Sequence, residues 1–166
     1  MDFGQDIPDK GFFPKVSVGK RVTEMFMGQY DHTIDAKGRI IVPAKYREAL
    51  GEEFIATQGL DGCLFLYPAQ EWKTFAEKLQ NLPSGANTRK LQRHFMSRAM
   101  EMMLDKQGRI LIPAKLREHA ALEKDVVFVG NINRVEIWDS ARWEAMAESM
   151  DGEDVEKGLE ELDISI

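Results

Sequence analysis

Asp35-Ala36-Lys37-Gly38-Arg39-Ile40-Ile41-Val42-Pro43-Ala44-Lys45-Tyr46-Arg47-Glu48 returns as Asp105-Lys106-Gln107-Gly108-Arg109-Ile110-Leu111-Ile112-Pro113-Ala114-Lys115-Leu116-Arg117-Glu118, without a gap. Nine of the fourteen paired positions are identical, and the changes inside the apolar run are Ile for Leu and Val for Ile. With one residue inserted the correspondence continues, so that Leu66-Tyr67 and Trp72 match Ile137-Trp138 and Trp143. Self-similarity at a fixed offset marks a tandem duplication of one supersecondary unit. A unit of about 45 residues sits near the lower limit for folding alone. Each copy is therefore expected to bury its apolar face against the other, or against a copy from another chain.

Local patterning supplies the elements of the unit. Gln29 to Ile34 alternates, with Tyr30, His32 and Ile34 on one side, which is the period of a strand. In Asp35-Ala36-Lys37-Gly38, Asp and Gly stand at the first and fourth positions of a type I turn, and Gly38 suits the positive φ of a three-residue hairpin loop. Ile40-Ile41-Val42 is an unbroken β-branched run, predicted as a strand buried on both faces. Pro43 lacks an N–H, ends the ladder and suits the start of a short helix over Ala44 to Leu50, closed by Gly51. Copy two repeats this through Pro113, with a helix from Ala114 to about Leu122. In each copy two further strands follow, around Gly59-Leu60-Asp61-Gly62 and Gly130-Asn131-Ile132-Asn133.

An amphipathic helix after Pro68 carries Trp72, Phe75, Ala76 and Leu79 at helical spacing. Asn81 to Asn87 reads as a linker. A second helix, capped by Asn87 or Thr88, sets Leu91, Phe95 and Ala99 against a basic side of Arg89, Lys90 and Arg93. Residues 1–24 match neither copy and read as a flexible extension outside the repeats. The C-terminal stretch from Ala141 reads as an acidic helix that passes into disorder after Met150.

Composition bounds the function. With 43% hydrophobic and 30% charged residues the chain is of globular composition. No apolar run approaches the roughly 18 residues of a membrane span, and no signal-type apolar segment opens the chain, so a cytoplasmic protein is expected. Cys63 is the single cysteine, which excludes an internal disulfide and a cysteine metal cluster. The net charge of −6 is unevenly spread: Asp139 to Ile166 holds ten acidic and two basic residues. What precedes it is slightly basic, and Glu77 to Glu101 encloses Lys78, Arg89, Lys90, Arg93 and Arg98 with no acidic residue between. A basic middle with an acidic tail is compatible with nucleic-acid binding.

Catalytic constellations are missing from the pattern. Neither phosphate-cradling glycine motif occurs, and no Ser sits in a GxSxG elbow. His32, His94 and His119 stand apart without metal-ligand spacing, Cys63 lies in an apolar run, and Glu52-Glu53 and Glu160-Glu161 read as solvated charges. No enzyme activity, cofactor, metal or small-molecule substrate is expected. What repeats with charge is the turn: Asp35, Lys37 and Arg39, then Asp105, Lys106 and Arg109, with Lys45 and Arg47 or Lys115 and Arg117 just beyond. An Arg at the foot of a rigid turn can present its planar fork to a base edge or a phosphate, oriented by the Asp four residues earlier. The same spacing also suits a plain surface ion pair, worth about 0–1 kcal/mol. Both readings stand on the residues alone.

MFMGQYDHTIDAKGRIIVPAKYRE, DKQGRILIPAKLRE, LDGCLFLYPAQEW and NRVEIWDSARW resemble the MraZ family of bacterial transcriptional regulators, a tandem form of the swapped-hairpin fold of AbrB and SpoVT. The resemblance implies an α+β protein of two tandem swapped-hairpin β units in pseudo-twofold relation, with flanking short helices. Its expected divisions are an extension at 1–24, repeat one at 28–72, a helical connector with the basic stretch at 73–98, repeat two at 99–143 and an acidic tail at 144–166. It further implies a cytoplasmic, nucleoid-associated protein that assembles as a homo-oligomeric ring. Such a ring binds short direct repeats in double-stranded promoter DNA and regulates the division and cell-wall gene cluster, its own gene included. Carried over by position, the family's D-x-x-x-R element falls on Asp35 and Arg39 and on Asp105 and Arg109; beside it, the charges of Lys37, Lys45, Lys106 and Lys115 are expected to add salt-dependent phosphate contacts. Gln107 stands where copy one has Lys37, with Lys106 beside it as the substitute charge. Family members begin near Met25, so residues 1–24 are a natural extension or a misassigned start. The rival expectation is an antitoxin-like interaction module that docks a protein partner through the acidic tail.

Overall fold

The computed structural model describes residues 15–18 and 21–166, with side chains from Met25 onward. Lys15–Val18 (β1) pairs antiparallel with Arg21–Glu24 (β2) in a sheet of their own. Two short strands thus lie within the extension expected to be a flexible loop. The rest of that expectation lies outside the described residues.

Copy one runs β3 (Gln29–Thr33), β4 (Arg39–Ile41), α1 (Ala44–Leu50), β5 (Glu53–Gln58), β6 (Leu64–Pro68) and α2 (Ala69–Gln80). After α3 (Ala86–Met96), copy two repeats the series as β7 (Met100–Met103), β8 (Arg109–Leu111), α4 (Ala114–Ala120), β9 (Asp125–Asn131), β10 (Arg134–Asp139) and α5 (Ser140–Glu148). A last helix, α6, spans Gly152–Glu161.

Six strands form one antiparallel sheet in the order β3-β9-β10-β6-β5-β7. Written in copy equivalents that order is a palindrome, so a pseudo-twofold axis passes between β10 and β6, where Val135 faces Leu66 and Ile137 faces Leu64. The outer strands are exchanged between copies. β3 pairs with β9, setting Tyr30 opposite Phe128, and β7 pairs with β5, setting Met102 opposite Phe54. The returning strands are exchanged as well. β4 pairs with β8, Arg39 opposite Leu111, Ile40 opposite Ile110 and Ile41 opposite Arg109. The ribbon extends at both ends through Val42 N–H to the Gly108 carbonyl (3.0 Å) and Ile112 N–H to the Gly38 carbonyl (2.8 Å). The α+β architecture of two swapped hairpins is therefore what the chain builds.

The sheet separates two cores, because its residues alternate between faces. Leu64, Leu66, Val135 and Ile137 point to one side, where Ile40, Val42, Ile110 and Ile112 of the ribbon and Tyr46 and Leu116 of α1 and α4 complete a buried cluster. Cys63, Phe65, Tyr67 and Trp138 point to the other, under Leu79 of α2, Phe95 of α3 and Trp143 of α5. The ribbon is an outer layer, and this corrects the expectation of a strand buried on both faces. Ile40 and Ile110 are buried, but Ile41 is 43% and Leu111 58% exposed.

Three further expectations change. α3 starts at Ala86 behind Gly85 with no side-chain cap, so Asn87 and Thr88 lie inside the helix. The segment after Met150, read as disordered for its low hydropathy, is helical as α6. Asp151 caps it by accepting from the Asp154 N–H (2.8 Å), and Glu153 and Asp154 favour its N-terminal dipole. His94 and His119, distant in sequence, stand with ring centroids 6.0 Å apart.

Candidate nucleic-acid interface

Each repeated turn is held by its aspartate. Asp35 Oδ1 accepts from the backbone N–H of Lys37 and of Arg39 (2.9 Å each), and Oδ2 accepts from Arg39 Nε (2.8 Å). Backbone bonds from Gly38 N–H to the Asp35 carbonyl and from Asp35 N–H to the Arg39 carbonyl (3.0 Å each) close the loop, with Gly38 at φ +90°. Copy two reproduces the scheme. Asp105 accepts from Gln107 N–H (2.8 Å), Arg109 N–H (2.9 Å) and Arg109 Nε (2.9 Å). Gln107 replaces Lys37 at no cost to the turn because the position contributes its backbone amide. Lys106 carries the exposed charge there.

The bonds keep both carboxylates ionised. Asp35 and Asp105 are held below the ordinary carboxylate value, first by the Arg39 or Arg109 backbone N–H, with partial desolvation opposing and the arginine side chain adding to it. The ion pair engages Nε, at the stem end of the guanidinium. The two Nη groups lie on the distal edge, the edge that forks onto a guanine or a phosphate. The alternatives of ion pair and oriented arginine therefore coincide in one geometry.

The exchange of strands regroups the charges. Gly38 lies against Ile112, and Gly108 against Val42, so each turn meets the helix start of the other copy. Turn one sits beside the segment leading to Lys115, turn two beside that leading to Lys45. Lys37, Lys45, Lys106 and Lys115 are all exposed, and Lys45 Nζ reaches 6.0 Å from the Tyr30 ring centroid.

Arg47 and Arg117 take a role that spacing did not disclose. Arg47 Nε donates to the Val42 carbonyl (2.8 Å), and its guanidinium fills the space where a Cβ on Gly108 would stand. Arg117 likewise fills the space beneath Gly38, whose added Cβ would lie 2.9 Å from Arg117 Nε and 2.8 Å from the Ile112 carbonyl, but its Nε is buried without a hydrogen-bond partner among the described residues. Each arginine thus underpins the turn of the opposite copy. The available signal was their retention at the same distance from the turn glycine in both copies.

The ribbon's outer face carries Arg39 and Arg109, with side chains 37% and 29% exposed, diagonal to each other and directly across from Leu111 and Ile41. The basic stretch Arg89, Lys90, Arg93 and Arg98 is exposed but belongs to the α3 layer across the sheet, as does acidic α5. The two basic regions are not brought together. Among the described residues no group of His, Cys, Asp and Glu is arranged to hold a metal ion, and no helix is long and apolar enough to cross a membrane. Burial raises the Cys63 thiol pKa and keeps it unionised. Open depressions of about 400 and 460 Å³ lie along α4 and α1, lined among others by Arg117 and Glu118, and by Arg47 and Glu48.

The family model described as "MraZ protein, putative antitoxin-like" matches residues 25–94 and again 95–163. The "Transcriptional regulator MraZ" of Lachnoclostridium phytofermentans is 60% identical over 121 residues, 73% of this chain and 86% of that protein. That of Thermoanaerobacter sp. is 53% identical over 143 residues, 84% of this chain and all of the relative. That of Heliobacterium modesticaldum is 62% identical over 120 residues, 72% and 84% of the two chains. A duplicated swapped hairpin with these relatives defines the class as transcription regulators. The chain belongs to the MraZ family.

Proposed function

We propose that this chain regulates transcription by binding double-stranded DNA through the β4–β8 ribbon and its two turns. The observation that carries the reading is the pair of aspartate-braced arginines, Arg39 and Arg109, set diagonally on an exposed ribbon with lysines at both ends. Arg39 and Arg109 supply base readout or tight positioning, and Lys37, Lys45, Lys106 and Lys115 supply salt-dependent phosphate contacts. Asp35 and Asp105 orient the arginines and touch no DNA. Copies of the chain assemble in a ring that engages several direct repeats of one promoter together, so that weak contacts add through effective concentration. The target is the division and cell-wall gene cluster, including the chain's own gene, and the protein acts in the cytoplasm on the nucleoid.

Footprinting of the purified protein on DNA upstream of its own gene tests this, with protection of short direct repeats as the expected result. Arg39→Ala should weaken that binding while particle mass and thermal midpoint stay unchanged. Wild-type affinity in the variant would sink the assignment.

The rival reading, an interaction module, is favoured by one feature: Val155 (50%) of acidic α6 and Leu162 (73%) at its C-cap are exposed. A pull-down with the chain shortened at residue 150 separates the two. If a protein partner is lost on shortening while promoter DNA is never bound, the module reading holds.

A further inference from the structure

Ile41 and Leu111 are the two aliphatic side chains on the outer face of the β4–β8 ribbon, and the fold has no use for them there. The buried side of each strand is already supplied by Ile40 with Val42, and by Ile110 with Ile112. We propose that Ile41 and Leu111 read thymine: each packs on the 5-methyl group of a thymine in the major groove, next to the base engaged by its neighbouring arginine. The proposal rests on the DNA-binding reading above and adds the chemical identity of what the ribbon recognises.

Register sets the geometry. Leu111 lies directly across from Arg39, and Ile41 directly across from Arg109. Side chains so opposed have Cβ atoms about 4.5–5.5 Å apart. Successive bases on one strand are about 3.4 Å apart along the helix axis. Each arginine–aliphatic pair therefore spans one to two base steps. Two strands about 4.8 Å apart also fit the major groove, which is about 12 Å wide.

Chemistry selects the occupant. Within that groove the thymine methyl is the apolar group on the base edges, while guanine O6 and N7 match an arginine fork. A face that alternates arginine and aliphatic side chains is complementary to such edges. A second copy packed ribbon to ribbon would cover Ile41 and Leu111 only by burying Arg39 and Arg109 beside the same two arginines of its partner. That would place like charges together out of water. DNA covers the aliphatic groups and pairs the arginines at once. Other exposed apolar residues, such as Met103 and Leu60, have no arginine across a strand pair and fall outside the proposal.

The test uses the duplex that the full-length protein protects upstream of its own gene, synthesised with thymine throughout or with uracil at one protected position at a time. Uracil removes the methyl and leaves the hydrogen-bonding edge unchanged. Wild type should bind about fourfold more weakly for each contacted methyl removed, the value of one buried methyl-sized group. Ile41→Ala and Leu111→Ala should each bind the thymine duplex more weakly and lose the uracil response at one position. Three results overturn the proposal while leaving DNA binding intact: no thymine within the protected repeats, wild-type affinity unchanged by uracil at every position, or both variants as uracil-sensitive as wild type. Absence of any protection by wild type would remove the DNA-binding reading and the proposal with it. The uracil series on wild type needs no variant to fold.

Discussion

At the scale of single residues, the Asp35 carboxylate links local structure to surface chemistry. Its two oxygens hold two backbone amides and one guanidinium, so the turn and the direction of Arg39 are set by one group. Asp35→Asn keeps one carbonyl oxygen for the amides and removes the anion that faces Nε. It should lower promoter affinity without changing the thermal midpoint, and by less than Arg39→Ala, for which about tenfold or more is expected from the loss of one forked contact. Parallel gel-shift titrations and thermal melts check both. Neither turn glycine has room for a side chain. A Cβ on Gly38 would lie 2.8 Å from the Ile112 backbone carbonyl and 2.9 Å from Arg117 Nε, and one on Gly108 would overlap Arg47 Cζ. Both substitutions carry the left-handed penalty of about 1–2 kcal/mol for a residue with a Cβ. Gly38→Ala and Gly108→Ala should therefore each lower the urea midpoint, and an unchanged midpoint in either would contradict the packing described.

Two histidines make stability depend on pH. His32 is held below the ordinary histidine value of 6.5 by burial and then by Arg47, with Asp31 opposing. His119 is held below it by burial and then by His94 and Arg142, against its contact with the Cys63 backbone. Both native forms bind protons less readily than the unfolded chain. The stability this contributes is present above pH 6.5 and is lost as pH falls through the lower folded values. Urea midpoints should thus drop between pH 7.5 and 5.5, and His119→Gln should make the drop smaller. A midpoint that rises on acidification would contradict the assignment.

At the scale of elements, legibility follows the physics of each signal. Turns were readable because Asp and Gly at fixed positions have a conformational meaning that neighbours do not alter. Strand β3 was readable because Tyr30, His32 and Ile34 alternate toward one side. The ribbon was only half readable, since Ile40-Ile41-Val42 looks the same whether one face or two are covered. Which face is open depends on what is stacked beyond it, and that is a tertiary fact. The braced arginines could be listed from the sequence, but not the pairing of each turn with the other copy's helix start. Arg47 and Arg117 stayed hidden for the same reason, as their partners lie seventy residues from the matching position in sequence. The final helix escaped notice because α6 has no buried residue, so no core pattern marked it. That predicts its own test. Ending the chain at residue 150 should leave the urea midpoint within experimental error while removing the helical circular-dichroism signal of about one ten-residue helix.

For the whole molecule, the exchange of strands means that neither copy is a separable domain. Alone, copy one would lack β9 beside β3, β7 beside β5, β8 beside β4 and β10 beside β6, which leaves both edges of the β5–β6 pair and the ribbon strand unmatched. Unpaired strand edges with a half-covered apolar face demand a partner. The similarity of the copies supplies one, because Ile41 occupies the position of Leu111, Leu64 that of Val135 and Leu66 that of Ile137. A fragment of residues 25–84 should therefore fold as a homodimer in which each β3 pairs with the partner's β5 and the two β4 strands form the ribbon, Arg39 facing the partner subunit's Ile41. Sedimentation equilibrium should give twice the fragment mass, and urea unfolding should shift to higher midpoint as protein concentration rises, the mark of folding coupled to association. Asp-braced turns would then sit at both ends of the ribbon, as in the intact chain. A folded monomer with a concentration-independent midpoint would show that the duplication joined two units already complete in themselves, and the strand exchange would then contribute orientation of the two turns and little to stability.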